Sequence, residues 1–182
     1  MITESILVEE LKNASTRERA FRFLVSEYKE RLYWHIRKIV LDHDDADDVL
    51  QNTFIKIYRN INSFKGDSKL FTWMYRIATN ESITFINKRA KKQMVSSEEI
   101  QEQSLARLES DVYFEGEEIQ LKLQRAIASL PPKQQLVFNM KYFDDLTYEE
   151  LSEILETSVG GLKSSYHIAV KKITDLLKDE TF

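Results

Sequence analysis

Cysteine is absent from the 182 residues, which removes disulfide frameworks, thiol nucleophiles and zinc fingers from consideration. With only four glycines and two prolines, a sandwich or barrel is a poor expectation, because those folds need turn-formers after almost every strand. No apolar run approaches the roughly 18 residues that span a bilayer. The opening MITESILVEE lacks the basic start and apolar stretch of a secretory leader. The three histidines, His35, His43 and His167, show no ligand or triad spacing, and neither a glycine-rich phosphate loop nor a nucleophile elbow is found. The sequence therefore offers no catalytic residues, no metal site and no cofactor, and the expectation is a soluble, cytoplasmic, non-enzymatic protein without membrane insertion of its own.

What is present is a helical chain with uneven charge. Its 42% hydrophobic content suffices for a core, and the net charge is −4. Residues 1–92 carry 17 basic and 13 acidic side chains, residues 93–118 carry 1 and 8, and residues 119–182 carry 8 and 9. Binding depends on local fields rather than on the total, so an overall negative charge does not exclude nucleic acid.

Apolar residues recur at three and four residues over about 16–41 (Phe21, Leu24, Tyr28, Leu32, Ile36, Ile39), 45–62 (Leu50, Phe54, Ile57, Ile61) and 68–91 (Phe71, Met74, Tyr75, Ala78, Ser82, Phe85, Ile86), which predicts three amphipathic helices. Residues 93–116 are acidic, polar and weakly periodic, which reads as a flexible linker with at most transient helix. Periodicity returns with Ile119, Leu123, Ile127 and Leu130 before Pro131-Pro132, then with Leu136, Met140 and Phe143. Thr147 and Glu150 have capping-box spacing, with Leu146 placed to staple against Leu151, over a short helix ending near Glu156. Ser158 is a plausible N-cap for a last helix that buries Leu162, Tyr166, Ala169, Ile173 and Leu176. The fold expected is all-α: two small helical domains, residues 1–92 and 117–182, joined by an acidic linker at 93–116.

Three surfaces could carry chemistry. Helices at 147–156 and 159–178, joined by a short turn, have helix-turn-helix spacing, which would lay the second helix in a major groove. Its outward residues would be Gly160, Gly161, Lys163, Ser164, His167 and Lys171. An ordinary helical hairpin with a solvated lysine face has the same spacing. The outer face of the helix at 68–91 carries Trp73, Arg76, Asn80, Thr84, Asn87 and Lys91, with Lys88 in the basic end of the helix. Rings stack on bases, amides meet base edges and cations hold phosphates, so the stripe suits single-stranded nucleic acid; a solvated face with dipole-complementing lysines is the plainer alternative. The acidic run from Asp42 to Asp48 fails the EF-hand pattern, with Asp47 where glycine belongs and Thr53 where glutamate belongs. It reads better as helix N-terminal acid, followed by Asp48, Gln51, Asn52 and Ile55 off the buried stripe, where an exposed isoleucine among polar groups suggests docking.

Together these segments resemble the bacterial RNA polymerase sigma factors. Asp45-Ala46-Asp47-Asp48-Val49-Leu50-Gln51-Asn52-Thr53-Phe54 resembles the family's D-A-E-D-V-x-Q-x-T-F signature, and Phe71-Thr72-Trp73-Met74-Tyr75-Arg76-Ile77-Ala78-Thr79-Asn80 its F-x-T-W-L-Y-R-I-A-x-N stretch. Leu130-Pro131-Pro132-Lys133-Gln134-Gln135 resembles the L-P-x-x-x-R opening of its C-terminal domain, and the segments at 146–151 and 160–164 its helix-turn-helix. Two domains with a short linker are similar to the extracytoplasmic-function group. The resemblance implies binding to core RNA polymerase through Asp47, Asp48, Gln51, Asn52 and Ile55. It implies minus-ten capture by Trp73, Arg76, Asn80, Asn87, Lys88 and Lys91, and minus-thirty-five readout by Gly160, Gly161, Lys163, Ser164, His167 and Lys171. Promoter DNA and core polymerase are then the partners, an anti-sigma factor a further one, and the acidic linker would thread the polymerase. The family often has Arg where this chain has Gln135, Ser165 and Ile168; loss of the two arginines from the recognition helix removes its usual bidentate groups for guanine or phosphate, which changes the expected minus-thirty-five chemistry. The competing reading is a stand-alone helix-turn-helix regulator that binds duplex DNA without replacing a polymerase subunit; residues 45–92 discriminate, because such a regulator needs neither stripe nor docking helix.

Overall fold

The computed structural model describes residues 3–108 and 118–179. Among them no strand occurs; the elements are α1 (Glu4–Lys12), α2 (Arg17–Val40), α3 (His43–Asn60), a 3-10 turn (Ile61–Ser63), α4 (Leu70–Gln93), α5 (Ser97–Leu108), α6 (Glu118–Ala128), α7 (Pro132–Tyr142), α8 (Tyr148–Leu155) and α9 (Val159–Asp179).

The predicted stripes become the core. In α2, Leu24, Leu32, Ile36 and Ile39 are buried; in α3, Leu50, Phe54 and Ile57; in α4, Phe71, Met74, Tyr75, Ala78, Ser82 and Ile86. Each fully buried aliphatic side chain contributes about 1.5–3 kcal/mol against solvent exposure, so these three helices supply most of the driving force of the N-terminal half. The acidic run works as expected at a helix start: Asp42 caps α3, its Oδ1 accepting from the Asp45 N–H at 3.1 Å.

Two elements were not anticipated. Helix α1 buries Leu7 and Leu11, too few positions to show a period. Its Lys12 Nζ donates to the Phe64 carbonyl at 2.6 Å, and its Glu4 Oε1 accepts from Leu70 N–H at 2.9 Å. That carboxylate caps α4, whose own N-cap residue, Lys69, supplies no side-chain bond. Helix α5 lies inside the stretch expected to be a flexible linker. Its start is a reciprocal cap: Glu99 N–H donates to Ser96 Oγ at 3.1 Å, and Ser96 N–H donates to Glu99 Oε2 at 2.9 Å. Ile100 is buried in the main core. The rest of the expected linker, residues 109–116, and Glu117 lie outside the described residues.

In the C-terminal half the capping box forms as predicted: Glu150 N–H donates to Thr147 Oγ1 at 3.2 Å and Thr147 N–H to Glu150 Oε2 at 2.9 Å. Leu146 and Leu151 are both buried. Ser158 caps α9, accepting from Gly161 N–H at 3.2 Å. Leu162, Ala169 and Ile173 face inward, but Leu176 is 40% exposed. Leu177 packs on the second core cluster instead; over a helix of this length a period of 3.6 drifts past a strict three-four alternation. Ile119 and Phe143, expected on inner faces, are exposed as well.

The two halves share one core. Val137, Met140, Leu146, Leu151, Ile154 and Leu162 join the cluster built by α1–α5. A smaller cluster of Ala126, Ile127, Leu130, Phe138, Ala169 and Ile173 completes the C-terminal half. The α7–α8 turn holds Asp145 at φ 51°, a left-handed conformation that costs a residue with a Cβ roughly 1 kcal/mol. Asp145 is almost fully exposed, and its ion pair with Lys141 is long, at 4.0 Å. Asp145→Gly should therefore raise stability by up to about 1 kcal/mol, readable as a higher midpoint in urea denaturation.

Candidate nucleic-acid interface

Three exposed faces emerge from this framework. On α3, Asp48, Gln51, Asn52 and Ile55 point to solvent on the side opposite Leu50, Phe54 and Ile57, and Asp47 is half-buried beside His43, with Oδ2 3.7 Å from Nε2. Helix α3 is tied to α4 by side-chain ion pairs from Lys56 to Glu81 and from Arg89 to Asp45.

On α4 the expected stripe is real as a surface. Arg76, Asn80, Thr84, Asn87, Lys88 and Lys91 are exposed, and Trp73 is half-buried. Trp73 is tilted against Phe64, ring centres 5.4 Å apart, so one face of the indole is supported by the loop that α1 braces. The stripe's inner side is the bundle core, where Thr79 and Ser82 each donate to the carbonyl four residues back, at 2.8 Å, whereas the buried Thr72 Oγ1 has no hydrogen-bond partner among the described residues.

On α9 the outward residues Gly160, Lys163, Ser164, His167 and Lys171 are exposed and Gly161 is half-buried. A Cβ on Gly161 would stand 3.2 Å from Ser158 Oγ and 3.4 Å from Thr157 Cγ2, so this glycine keeps the cap tight, whereas Gly160 has open space around it. Lys163 lies 5.6 Å from the Tyr148 ring centre, a cation–π rest position. Gln135 is not on any face. It is buried, and its Nε2 donates to the carbonyls of Ala128 at 3.0 Å and Leu130 at 2.6 Å, closing the bend between α6 and α7. Ile168 is 43% exposed, beside His167.

Helix α8 and the turn before it are brought against the N-terminal half, which spacing in the sequence could not show. Asp144, in the turn after α7, reaches into the N-terminal half with its side chain 6% exposed. It accepts from His35 Nδ1 at 3.0 Å and pairs with Lys38. His35 is itself buried, its Nε2 2.9 Å from Thr79 Oγ1. Around this hub Arg76 pairs with Glu156, and Lys69 with Glu150 at 2.9 Å. The last two cations are well exposed, so each pair contributes at most about 1 kcal/mol; the buried hub and the shared apolar core hold the halves together. No signal marked Asp144, which reads as a turn residue. His35 could have been found: it sits on the inner stripe between Leu32 and Ile36, and a histidine at a buried position needs partners.

Burial pushes the His35 imidazole below its ordinary 6.5, by more than the Asp144 hydrogen bond and charge raise it. Burial alone would raise the Asp144 carboxyl, but the His35 and Lys38 contacts outweigh it and hold the group below its ordinary 3.8. Both groups bind protons less readily folded than unfolded, so stability falls with acid. The His35 contribution is complete above pH 6.5 and declines as pH drops below it; the Asp144 contribution follows near pH 3.8 and below. Melting temperature should fall between about pH 7.5 and pH 5.5, and His35→Gln should flatten that slope. An unchanged slope in the variant would show that other groups carry the dependence.

Among the described residues no cluster of three or more His, Asp or Glu side chains could hold a metal ion, and no helix is long and apolar enough to cross a membrane.

The family described as Sigma-70 region 2 matches residues 24–92, and the family described as Sigma-70, region 4 matches residues 120–173. The extracytoplasmic-function RNA polymerase sigma factor SigW of Bacillus subtilis is 31% identical over 169 residues, spanning 88% of this chain and 90% of that protein. The corresponding sigma-E factor of Haemophilus influenzae is 30% identical over 171 residues, spanning 90% and 89%. Among solved structures, CnrH in complex with the cytosolic domain of CnrY superposes with TM-score 0.72 at 21% identity, covering 98% of this chain and 99% of CnrH. RpoE in complex with the anti-sigma factor NepR from Bartonella quintana gives 0.68 at 20%, covering 87% and 96%. The folds agree. The chain belongs to the extracytoplasmic-function sigma factors of RNA polymerase.

Proposed function

We propose that the three exposed faces divide the work of a sigma factor among them. As a member of that family the chain binds core RNA polymerase and directs it to promoter DNA. The family is not an enzyme family; the polymerase forms the phosphodiester bonds. The N-terminal domain, residues 1–92, docks on the polymerase through Asp47, Asp48, Gln51, Asn52 and Ile55 and takes the minus-ten strand on Trp73, Arg76, Asn80, Asn87, Lys88 and Lys91. The C-terminal domain, residues 117–182, reads the minus-thirty-five duplex with Gly160, Gly161, Lys163, Ser164, His167 and Lys171.

The observation that carries this assignment is the disposition of α3 and α4. They present two different faces of one bundle, an acidic-polar face with an exposed isoleucine and an aromatic-amide-basic stripe. Unstacked bases need rings and amides, and phosphates need cations, and the stripe offers all three. On α9 a lysine face over a capped N-terminus suits phosphate and base-edge contacts in a groove. With few cations and a net charge of −4, affinity for DNA alone is expected to be weak and to fall with salt. A stand-alone duplex-binding regulator is not favoured, since it leaves the match to region 2 without a role. The action is cytoplasmic, where polymerase is.

An anti-sigma factor is proposed as a further partner, because the structural neighbours were solved with such proteins or with a partner's cytosolic domain. It should cover the polymerase-facing and DNA-facing residues; a co-purified partner leaving Asp48, Asn52 and Lys163 accessible would contradict that. The experiment that tests the assignment of faces is co-elution with core polymerase by size exclusion. Wild type should co-elute, Lys163→Ala should co-elute equally well, and Asn52→Ala should dissociate. Equal retention of all three would remove α3 from the docking role.

A further inference from the structure

Residues 62–70 lead from the α3 docking face to the α4 stripe, and this segment has little order of its own. Among the described residues, the N–H groups of residues 65–69 have no hydrogen-bond partner. Lys65, Gly66 and Asp67 are exposed, and Gly66 takes a left-handed φ of 81°. A segment without internal hydrogen bonds keeps one shape only if something outside it imposes that shape.

Three anchors do so, all from α1 and the first residue of α2. At the start of the segment, the Arg17 guanidinium donates to Asn62 Oδ1 at 3.1 Å. The same group donates to the carbonyls of Leu11 and Lys12, at 2.8 and 3.2 Å, and so fastens the end of α1 to this point. In the middle, Lys12 Nζ donates to the Phe64 carbonyl at 2.6 Å and lies 6.0 Å from the centre of the Phe64 ring. At the end, Glu4 Oε1 accepts from Leu70 N–H at 2.9 Å. Leu7 and Leu11, both buried, seat α1 on the core beneath these groups. The middle anchor falls on the residue that backs Trp73, because the buried Phe64 ring is the one that supports the indole. Helix α1 itself lies outside residues 24–92, the part of the chain that matches region 2.

We propose that α1 is a positioning clamp for strand capture, with Lys12 its central residue. Lys12 holds the Phe64 backbone, Phe64 holds the Trp73 ring, and the ring is presented at a set position before the strand arrives. The proposal rests on the proposed assignment of Trp73 to a strand base. Lys12 and Glu4 are positioning residues; they act through Phe64 and Leu70. A preorganised site binds more tightly because its groups need no ordering on binding. Without the anchor the segment must be ordered at the moment of capture.

The test uses the full chain. Lys12 and Glu4 are exposed, so Lys12→Met leaves Leu7 and Leu11 in the core. Trp34→Phe leaves Trp73 as the single tryptophan of the two, and its quenching by acrylamide reads how firmly Phe64 covers one side of the indole. In that background Lys12→Met should raise the quenching. With core polymerase it should lower promoter opening, read by permanganate reactivity, by about 10-fold, within the range for loss of one stacked base. Affinity for core polymerase should stay within about twofold, and Lys12→Arg, which keeps a cationic donor, should restore both quenching and opening. Unchanged quenching would overturn the proposal. So would a parallel loss of opening and core affinity, which marks a general effect on the fold. If Trp73→Ala lowers opening and Lys12→Met does not, the clamp alone falls; if neither lowers it, the assignment of the strand to α4 falls as well.

Discussion

Asp48→Arg should weaken binding to core RNA polymerase by at least about 30-fold, the loss expected when a central interface charge worth 2 kcal/mol or more is reversed. Asp48 is exposed on α3, on the side away from the buried Leu50, Phe54 and Ile57, so the substitution touches no core contact. Arginine is a good helix former, and Asp48 sits beyond the first turn, where loss of a carboxylate would cost little dipole energy. The folded chain should therefore keep its helicity and its melting temperature. Ile55→Arg, about two turns along the same face, should reproduce the loss, because an isoleucine left 47% exposed is the apolar centre that a polar rim would surround. Fluorescence titration of labelled chain with core polymerase reads both. Unchanged affinity in both variants would move the docking surface elsewhere.

Trp73→Ala should lower promoter opening by about 10- to 100-fold while leaving core affinity within about twofold, since stacking of one base on an aromatic ring is worth about 1–3 kcal/mol. The indole is supported from behind by Phe64 at 5.4 Å, which keeps its free side presented. Because Trp73 also packs on the core, alanine will cost some stability, and the fold is controlled by Trp73→Phe. Phenylalanine keeps a stacking face and most of the packing, and should restore most of the opening. Permanganate reactivity of unpaired thymines measures the opening. If Trp73→Ala opens promoters normally, the ring is a core residue and the stripe has lost its stacking member.

The bundle helices were legible because a buried face must repeat at the helical period, and Leu50, Phe54 and Ile57 or Met74, Tyr75 and Ala78 leave little choice. The same arithmetic exposed the opposite faces, so Asp48, Asn52, Arg76 and Asn80 could be placed on the surface from sequence. Caps were legible where the side chains that make them are local, as with Thr147 and Glu150. Helix α5 shows the limit. Ser96 and Glu99 have the same capping spacing, but the acidic composition around them reads as solvated chain, and burial of Ile100 against a distant core decides the matter. The His35–Asp144 contact joins positions 109 residues apart, and neither residue has a local pattern that names the other. Gln135 shows the converse: its departure from the family's arginine has no role that the sequence names, yet the side chain is buried and ties two backbone carbonyls.

This chain supplies promoter specificity to a polymerase that lacks it. Purified core RNA polymerase, with and without the chain, on a pool of promoter fragments, followed by sequencing of transcript 5′ ends, tests it most directly. Discrete start sites should appear only with the chain and share two sequence elements upstream, one near minus ten and one near minus thirty-five. Failure to bind core or to yield such starts, together with a shift of duplex DNA by the chain alone, would contradict it.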